Sequence, residues 1–205
     1  MAKSLIVYYS LGGKTKKVVD ILEKLTNADV YEIEMEKPYT KLTACTIGLG
    51  HCKIGYEPSI KDSIDLSPYD KIFIGGPTWW FTYAPPINTF IKKYDLTDKI
   101  IYPFGTATSN FGGYFEKFNK ECKAKEIKKP LKILKSTLNK GLEEAVKLWL
   151  NEEYKNEQKF NWEILIGLYP IFVLIGFLYL DSFFEEFIIS YNLYFNINDC
   201  IDILY

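Results

Sequence analysis

The sequence contains no arginine. All 25 of its basic residues are lysines, and they stand against 26 acidic residues and a single histidine. Arginine is the side chain that most often contacts phosphates and bases in the bidentate geometry of nucleic-acid recognition. Because arginine is missing and the formal net charge is only −1, the composition argues against a nucleic-acid-binding protein.

Cysteine and histidine are also scarce. The four cysteines are scattered without a C-x-x-C pair, and His51 alone cannot complete a zinc site, so no metal site is expected. His51 is predicted to be a solvent-facing loop residue, and Cys122 a buried one. The apolar run at the start of the chain is too short for a secretory signal, so a cytoplasmic, reducing location is expected for residues 1–155.

What the sequence has is a large apolar fraction, 48% of 205 residues, which is enough for one domain of ordinary size and a surplus. Charge and composition both change near Lys155. Residues 1–155 carry a net charge of +5 and residues 156–205 a net charge of −6, and 33 of those last 50 residues are Phe, Ile, Leu, Tyr or Asn. The sequence therefore predicts a first domain over 1–155 and a hydrophobic tail over 156–205.

Within this tail, residues 164–180 are 17 consecutive uncharged residues. As a helix they would extend roughly 25 Å, somewhat less than the roughly 30 Å of a bilayer core. Three interpretations are open: a single membrane anchor on the cytoplasmic face, an aberrant C-terminus produced by a frameshift or read-through, and an additional helical subdomain.

Strand-like and helix-like segments alternate along the first 155 residues. β-Branched and aromatic runs predict strands, and apolar residues at helical spacing predict the helices between them. Connections of this length are typical of β-α-β units and of a parallel sheet with helices on both faces. The predicted strands are Ser4–Tyr9, Asp29–Met35, Tyr69–Gly75, Lys99–Phe104 and Ile127–Leu134, and the predicted helices are Lys14–Leu25, 85–94, Phe111–Cys122 and Leu138–Leu150.

Three loops that follow predicted strands are candidates for a ligand site, because ligands of open α/β sheets bind beyond the carboxyl ends of the strands. The first loop, residues 10–15, passes through Gly12 and Gly13 directly into a helix. Free backbone N–H groups and the helix dipole at such a junction attract a phosphate. The alternative is an ordinary turn with a serine cap.

The other two loops differ in character. Residues 76–86 bring four aromatic side chains together beside prolines, which suits stacking on an aromatic ligand, although Trp79 or Trp80 could instead plug the core beneath the loop. Residues 105–113 are small and polar. They could donate N–H and hydroxyl groups to the polar edge of a heterocycle, or form a plain flexible connection.

Two segments resemble a known family. IVYYSLGGKTKKVVDIL and YDKIFIGGPTWWFTYAPPINTFI resemble the phosphate loop and the second flavin loop of short-chain flavodoxins and flavodoxin-like proteins. TATSNFGG matches their third flavin loop in position, and LNKGLEEAVKLWL resembles their closing helix. The resemblance covers about residues 3–154 and implies a doubly wound, five-stranded parallel sheet of order 2-1-3-4-5 that binds FMN non-covalently.

The resemblance also assigns roles to the three loops. The FMN phosphate would be held by the first loop, through Ser10, Gly12, Gly13, Lys14 and Thr15. The isoalloxazine would be flanked by Pro77, Thr78, Trp79 and Trp80. Its pyrimidine edge would be bonded by Thr106, Ala107, Thr108, Ser109, Phe111 and Gly112. The segment Lys37–Pro58 resembles a loop that follows the second strand in some members and would border the flavin or a substrate.

Two features depart from the family pattern. Gly12 replaces a Ser or Thr of the phosphate loop, which predicts weaker FMN binding because one hydroxyl donor is lost. The charge of +5 over residues 1–155 contrasts with the acidic surface usual for electron carriers of the family. The expected function is electron transfer with a redox partner protein, and flavin chemistry requires no catalytic side chain. An NAD(P)H-dependent FMN or quinone reductase, and a binding module that has lost its cofactor, are the alternatives.

Overall fold

Residues 3–153 are the part of the chain that the computed structural model describes. They contain seven strands, which are β1 (Lys3–Tyr8), β2 (Asp29–Glu32), β3 (Tyr69–Trp79), β4 (Thr82–Tyr83), β5 (Leu96–Ala107), β6 (Ala124–Ile127) and β7 (Leu131–Leu134). Five of these lie parallel in the order β2-β1-β3-β5-β6. Because β4 is only a two-residue hairpin partner of β3, this is the predicted order 2-1-3-4-5, and the predicted α/β fold class is confirmed.

The helices lie on both sides of this sheet, as predicted. They are α1 (Lys14–Thr26), α2 (Lys41–Cys45), α3 (Ile47–Ile54), α4 (Pro85–Lys93), α5 (Tyr114–Glu121) and α6 (Lys135–Asn139), followed by helical residues 142–153. Leu5 and Val7 of β1 face a core that contains α4 and α5 side chains, whereas Ile6 and Tyr8 face a second core with α1 and Trp149. Since successive side chains of a strand point to opposite faces, β1 is buried on both.

The predicted fifth strand, Ile127–Leu134, is wrong as a single strand. It is divided into β6 and β7, because β5 is 12 residues long and pairs with β6 along its first half and with β7 along its last four residues. Pro130 lies between the two short strands and has no N–H with which to continue the ladder.

Several predicted boundaries also move. β3 continues through the predicted loop to Trp79, and β5 continues to Ala107. α5 begins at Tyr114 rather than Phe111, and the predicted helix Leu138–Leu150 is interrupted at Gly141, whose φ of 84° favours glycine. The predicted burial of Cys122 is confirmed.

The segment between β2 and β3 contains two short helices, α2 and α3, where the resemblance implied a loop. Thr40 and Thr43 form a reciprocal cap at the start of α2. His51 lies in α3, so its prediction as a solvent-facing loop residue is wrong. Its Nδ1 lies 2.6 Å from the Tyr39 hydroxyl, and its ring stacks at 4.1 Å on that of Tyr56.

The predicted boundary near Lys155, the tail over 156–205 and the anchor candidate 164–180 lie outside the described residues. Among residues 3–153, no helix has the length and apolar character that a membrane crossing requires.

Candidate functional site

The N-terminus of α1 has the local features that attract an anion. Gly13 is the N-cap residue, with a φ of 76° that favours glycine, and no side chain accepts a hydrogen bond from the first turn. The first turn contains Lys14, Lys16 and Lys17 and no acidic residue. Unpaired N–H groups, the positive end of the helix dipole and lysine charges therefore coincide at one point, which is the arrangement that binds a phosphate.

Two buried hydroxyl groups beside one cavity lack a partner in the described part of the chain. The Ser10 Oγ and the Thr78 Oγ1 are inaccessible to solvent and have no hydrogen-bond partner among the described residues. A buried hydroxyl without a partner is destabilising by about 1–3 kcal/mol, and such groups in native proteins usually await a ligand or a water molecule. Both residues line the same cavity, so a polar ligand bound there would satisfy them.

That cavity lies at the carboxyl ends of β1, β3 and β5, with a volume of about 340 Å³. Ten of the fifteen predicted site residues line it, which are Ser10, Gly12, Lys14, Thr15, Pro77, Thr78, Trp79, Thr106, Ala107 and Thr108. Ser10 and Pro77 are 67 positions apart in the chain, and Pro77 and Thr106 are 29 positions apart, yet all three line this cavity. This is expected when neighbouring parallel strands end at the same edge of a sheet.

A hydrogen bond joins the first and third loops beneath the cavity. The Thr15 Oγ1 lies 3.0 Å from the Thr106 Oγ1, and both residues are almost fully buried. This contact fixes the first turn of α1 against the end of β5. The predicted phosphate end and the predicted polar edge of the site are therefore held at a defined separation.

Trp79 forms the aromatic wall of the cavity. Its ring is half-buried and meets the rings of Tyr9 and Tyr39 edge to face, at centroid separations of 5.9 and 5.1 Å. Burial raises the pKa of Tyr39 to about 12, so its hydroxyl stays protonated beside His51 at neutral pH. Trp79 packs against the core through other aromatic rings, as one interpretation of this loop predicted, while one side of it borders the cavity.

Trp80 turns away from the cavity instead. Its indole Nε1 donates a hydrogen bond to the Ala44 carbonyl at 3.1 Å, and its side chain is 42% exposed. Trp80 and Phe81 are the two central residues of the β3–β4 hairpin, with φ values of 47° and 67°. A two-residue hairpin with both φ values positive is a type I′ turn, which ordinarily contains Asn and Gly.

Four further predicted site residues lie outside the cavity lining, which are Gly13, Ser109, Phe111 and Gly112. Gly112, at a φ of 51°, leaves room for Phe81, because a Cβ atom at Gly112 would lie 2.5 Å from the Phe81 Cβ. The Gly113 N–H donates to the Phe81 carbonyl at 2.8 Å. Phe111 packs on the rings of α5, and Ser109 is exposed. Gly13 caps α1, as described above.

Tyr114 fixes the two strands that carry the second and third loops. Its hydroxyl accepts a hydrogen bond from the Gly76 N–H at 3.2 Å and donates one to the Phe104 carbonyl at 3.1 Å. The residue is fully buried, and burial raises its pKa well above the ordinary tyrosine value. The ends of β3 and β5 are therefore tied together directly below Pro77 and Thr106.

Two lining residues, Leu11 and Lys41, are not among the fifteen predicted site residues, although Leu11 lies within the candidate loop 10–15. Lys41 lies within the segment Lys37–Pro58, which was expected to border the site, and the Thr40-x-x-Thr43 spacing is the signal that could have placed it at a helix start. With Lys14 it makes two lysines in the lining, against no carboxylate. Among residues 3–153, no cluster of three or more His, Cys, Asp or Glu side chains could hold a metal ion.

A family model described as Flavodoxin matches residues 3–47 and 52–153. A crystal structure from Bacteroides eggerthii, provisionally described as a flavoprotein, is 27% identical, with 74% of this chain and 97% of that chain covered and a TM-score of 0.60. A flavoprotein in complex with FMN from Lactobacillus acidophilus is 26% identical, with coverages of 68% and 98% and a TM-score of 0.52. A flavodoxin from the domain Archaea, 20% identical with coverages of 75% and 97% and a TM-score of 0.50, shares the fold. Among curated proteins, none matches the chain.

Proposed function

The chain belongs to the flavodoxin family, and from this premise we propose that it binds FMN non-covalently and transfers electrons to or from a redox partner protein. The observation that carries the proposal is the buried, unpartnered Ser10 Oγ at the uncapped N-terminus of α1. A phosphate there would accept hydrogen bonds from this hydroxyl and from the first-turn N–H groups. Lys14 would add its charge.

The remaining lining residues suit a flat heterocycle. Trp79 and Pro77 would flank the isoalloxazine, and the hydroxyl of Thr78, buried without a partner among the described residues, would bond to it. Residues 106–108 would supply donors to its polar edge, since they line the cavity at the carboxyl end of β5. The complex of the 26%-identical flavoprotein with FMN is consistent with this assignment.

The chemical character of the side chains that line the cavity supports a role in electron transfer. They are hydroxyl-bearing, apolar and aromatic residues with two lysines, and no carboxylate, histidine or cysteine is among them. FMN supplies the redox chemistry when it is bound, and the side chains bind and orient it and exclude water. General acid–base catalysis most often uses a histidine or a carboxylate, and neither lines this cavity.

Titration of the full-length apoprotein with FMN and with riboflavin tests the cofactor assignment. We expect one FMN per chain with quenched flavin fluorescence, and binding of riboflavin at least tenfold weaker, because riboflavin has no phosphate for α1. Equal affinity for the two flavins, or no binding of either, would contradict the assignment.

Anaerobic addition of NADPH to the FMN-loaded protein then tests the electron-carrier role. We expect the oxidised flavin spectrum to persist, because a carrier takes electrons from a partner protein. Rapid bleaching to the two-electron-reduced spectrum would instead establish the NAD(P)H-dependent reductase.

A further inference from the structure

The surface that frames the cavity has no acidic residue in its own chain segments. It is made by four segments, residues 9–17, 38–56, 76–84 and 105–113, in which there is no Asp or Glu. The same segments contain five lysines, which are Lys14, Lys16, Lys17, Lys41 and Lys53. Because residues 1–155 carry a net charge of +5, the whole positive excess of this part of the chain lies in these four segments, which gives the cavity face a local positive field.

Most of these lysines have no counter-charge. Lys16 forms an ion pair with Asp20 at 2.8 Å, but the other four form no ion pair among residues 3–153. Lysines elsewhere on the domain are commonly paired, such as Lys61 with Glu34 and Lys129 with Glu152. The positive field is therefore cancelled only in part, by carboxylates such as Asp20 beside Lys16 and Glu121 at the Tyr83 hydroxyl. It still acts on charged molecules that approach from solvent.

The same surface holds most of the large apolar side chains that are exposed on residues 3–153. Of the eight large apolar side chains that are exposed among the described residues, six belong to segments 38–56 and 76–84, which are Leu42, Ile47, Ile54, Tyr56, Trp80 and Phe81. Leu42 and Phe81 are 72% and 65% exposed. Clustered apolar side chains beside a ligand cavity, rimmed by charge, are typical of a protein–protein interface.

The apolar side chains belong to one connected structure. The Trp80 indole is hydrogen-bonded to the Ala44 carbonyl, and a Cβ atom at Gly48 would lie 3.7 Å from both Trp rings. The left-handed backbone at Trp80 and Phe81 holds the Phe81 side chain outward at an unfavourable conformation. Strained conformations of this kind cluster at functional sites, and here the strain presents an aromatic ring to solvent.

We propose that this surface, formed by segments 9–17, 38–56, 76–84 and 105–113, docks a redox partner protein whose own contact face carries carboxylates around an apolar centre. The inference rests on the proposed electron-transfer function. Opposite charge selects such a partner because lysines steer an acidic face toward the cavity and repel a basic one. The exposed apolar side chains would then be covered in the complex.

The sign of the field can be measured with small redox ions. The FMN-loaded, full-length protein is reduced with dithionite and oxidised in a stopped-flow instrument by ferricyanide, an anion, or by hexaamminecobalt(III), a cation. We expect the ferricyanide rate constant to fall as salt is added and the hexaamminecobalt rate constant to rise or stay constant. A ferricyanide rate that rises with salt would overturn the proposal.

Charge-reversal variants locate the field. Lys41→Glu and Lys53→Glu should each lower the ferricyanide rate constant at low salt several-fold and flatten its salt dependence. Lys53 does not line the cavity, so its variant separates docking from FMN binding. Lys24→Glu is the matched control, because it makes the same charge change in the last turn of α1, at the opposite end of the helix from the cavity. Equal effects of Lys24→Glu and Lys53→Glu would overturn the proposal.

Equilibrium binding gives a second readout without electron transfer. The probe is a fluorescently labelled random copolymer of Glu and Tyr, which offers carboxylates and aromatic rings together. We expect binding to the FMN-loaded protein at low salt and severalfold weaker binding by Lys53→Glu and by Leu42→Ser. No binding, or binding unchanged in both variants, would overturn the docking surface. The flavin spectrum of each sample reports FMN occupancy, so loss of FMN, which bears on the proposed function, is recognised separately.

Discussion

The hydroxyl groups of Thr15 and Thr106 lie 3.0 Å apart, although the residues are 91 positions apart in the chain. Thr15 belongs to the first turn of α1, and Thr106 is the penultimate residue of β5. Because both are nearly fully buried, neither hydroxyl can exchange its partner for bulk water. The bond therefore sets the spacing between the two ends of the cavity.

Removal of one hydroxyl of this pair should lower the free energy of unfolding more than removal of both. Thr15→Val leaves the Thr106 hydroxyl buried without its partner, and we expect the free energy of unfolding to fall by about 1–3 kcal/mol. The double variant Thr15→Val/Thr106→Val should recover much of that loss, because no unpaired group remains. Urea unfolding of the apoproteins measures the coupling. Simple additivity of the two single losses would contradict this role.

Substitution of Gly12 tests whether the phosphate loop lacks a donor. A Cβ atom at Gly12 meets no other atom within 4 Å, and the backbone there is not left-handed. Gly12→Thr is therefore compatible with the fold and adds a hydroxyl group beside the α1 N-terminus. We expect the dissociation constant for FMN to fall about fivefold to tenfold, corresponding to about 1 kcal/mol, as measured by quenching of flavin fluorescence.

The neighbouring glycine is the control for that change. Gly13 has a φ of 76°, so Gly13→Thr introduces a β-branched residue into the left-handed region at a cost of about 1–2 kcal/mol. We expect lower stability and weaker FMN binding for this variant. An unchanged FMN affinity in Gly12→Thr would show that water or the backbone already replaces the missing hydroxyl.

Relief of the strained hairpin should stabilise the domain. Phe81 has a φ of 67° and is 65% exposed, so its side chain contributes little burial while its backbone is strained. Phe81→Gly removes the left-handed penalty and keeps the carbonyl that accepts from Gly113, and we expect a gain of about 1 kcal/mol. Phe81→Ala keeps the penalty and should give no gain. Thermal unfolding distinguishes the two, and equal melting temperatures would contradict a strained turn.

The sheet and most of the cavity could be predicted because they depend on local patterns. The apolar run around Ile72 and the glycine-rich turn before Lys14 each determine a strand end or a helix start within a few residues. The parallel topology then brings the three loops to one edge. Ten of the fifteen predicted site residues line the cavity for this reason.

The features that were missed depend on contacts between distant segments. β5 is long because it pairs with β3 along seven residues. Its other edge therefore pairs with two short strands, β6 and β7, which are separated at Pro130. The outward direction of Trp80 follows from its hydrogen bond to Ala44, which lies in a helix that has little apolar periodicity. His51 is half-buried because Tyr39 and Tyr56 enclose it. Pro130 is a local signal for the division of the strand, whereas spacing along the chain carries no signal for the positions of Trp80 and His51.

Buried tyrosines should make the domain sensitive to alkali. Burial raises the pKa of both Tyr31 and Tyr39 to about 12, and it raises the pKa of Tyr9, Tyr83 and Tyr114 further above the ordinary value. The folded state then holds these phenolic protons more tightly than the unfolded state, whose tyrosines titrate near pH 10. The stabilisation is complete below about pH 10 and is lost as the pH rises toward 12.

We therefore expect the melting temperature to be nearly constant from pH 7 to about pH 9 and to fall steeply above about pH 10, together with a rise in phenolate absorbance. Tyr39→Phe should lower the melting temperature at neutral pH, because the bond to His51 is lost, and should make the alkaline fall less steep. Lysine deprotonation contributes equally in both proteins, so the difference in slope isolates Tyr39. Phenolate absorbance that develops fully before the protein unfolds would show that these hydroxyls are open to solvent. Parallel curves of melting temperature against pH for the two proteins would show that Tyr39 does not contribute to the alkaline transition.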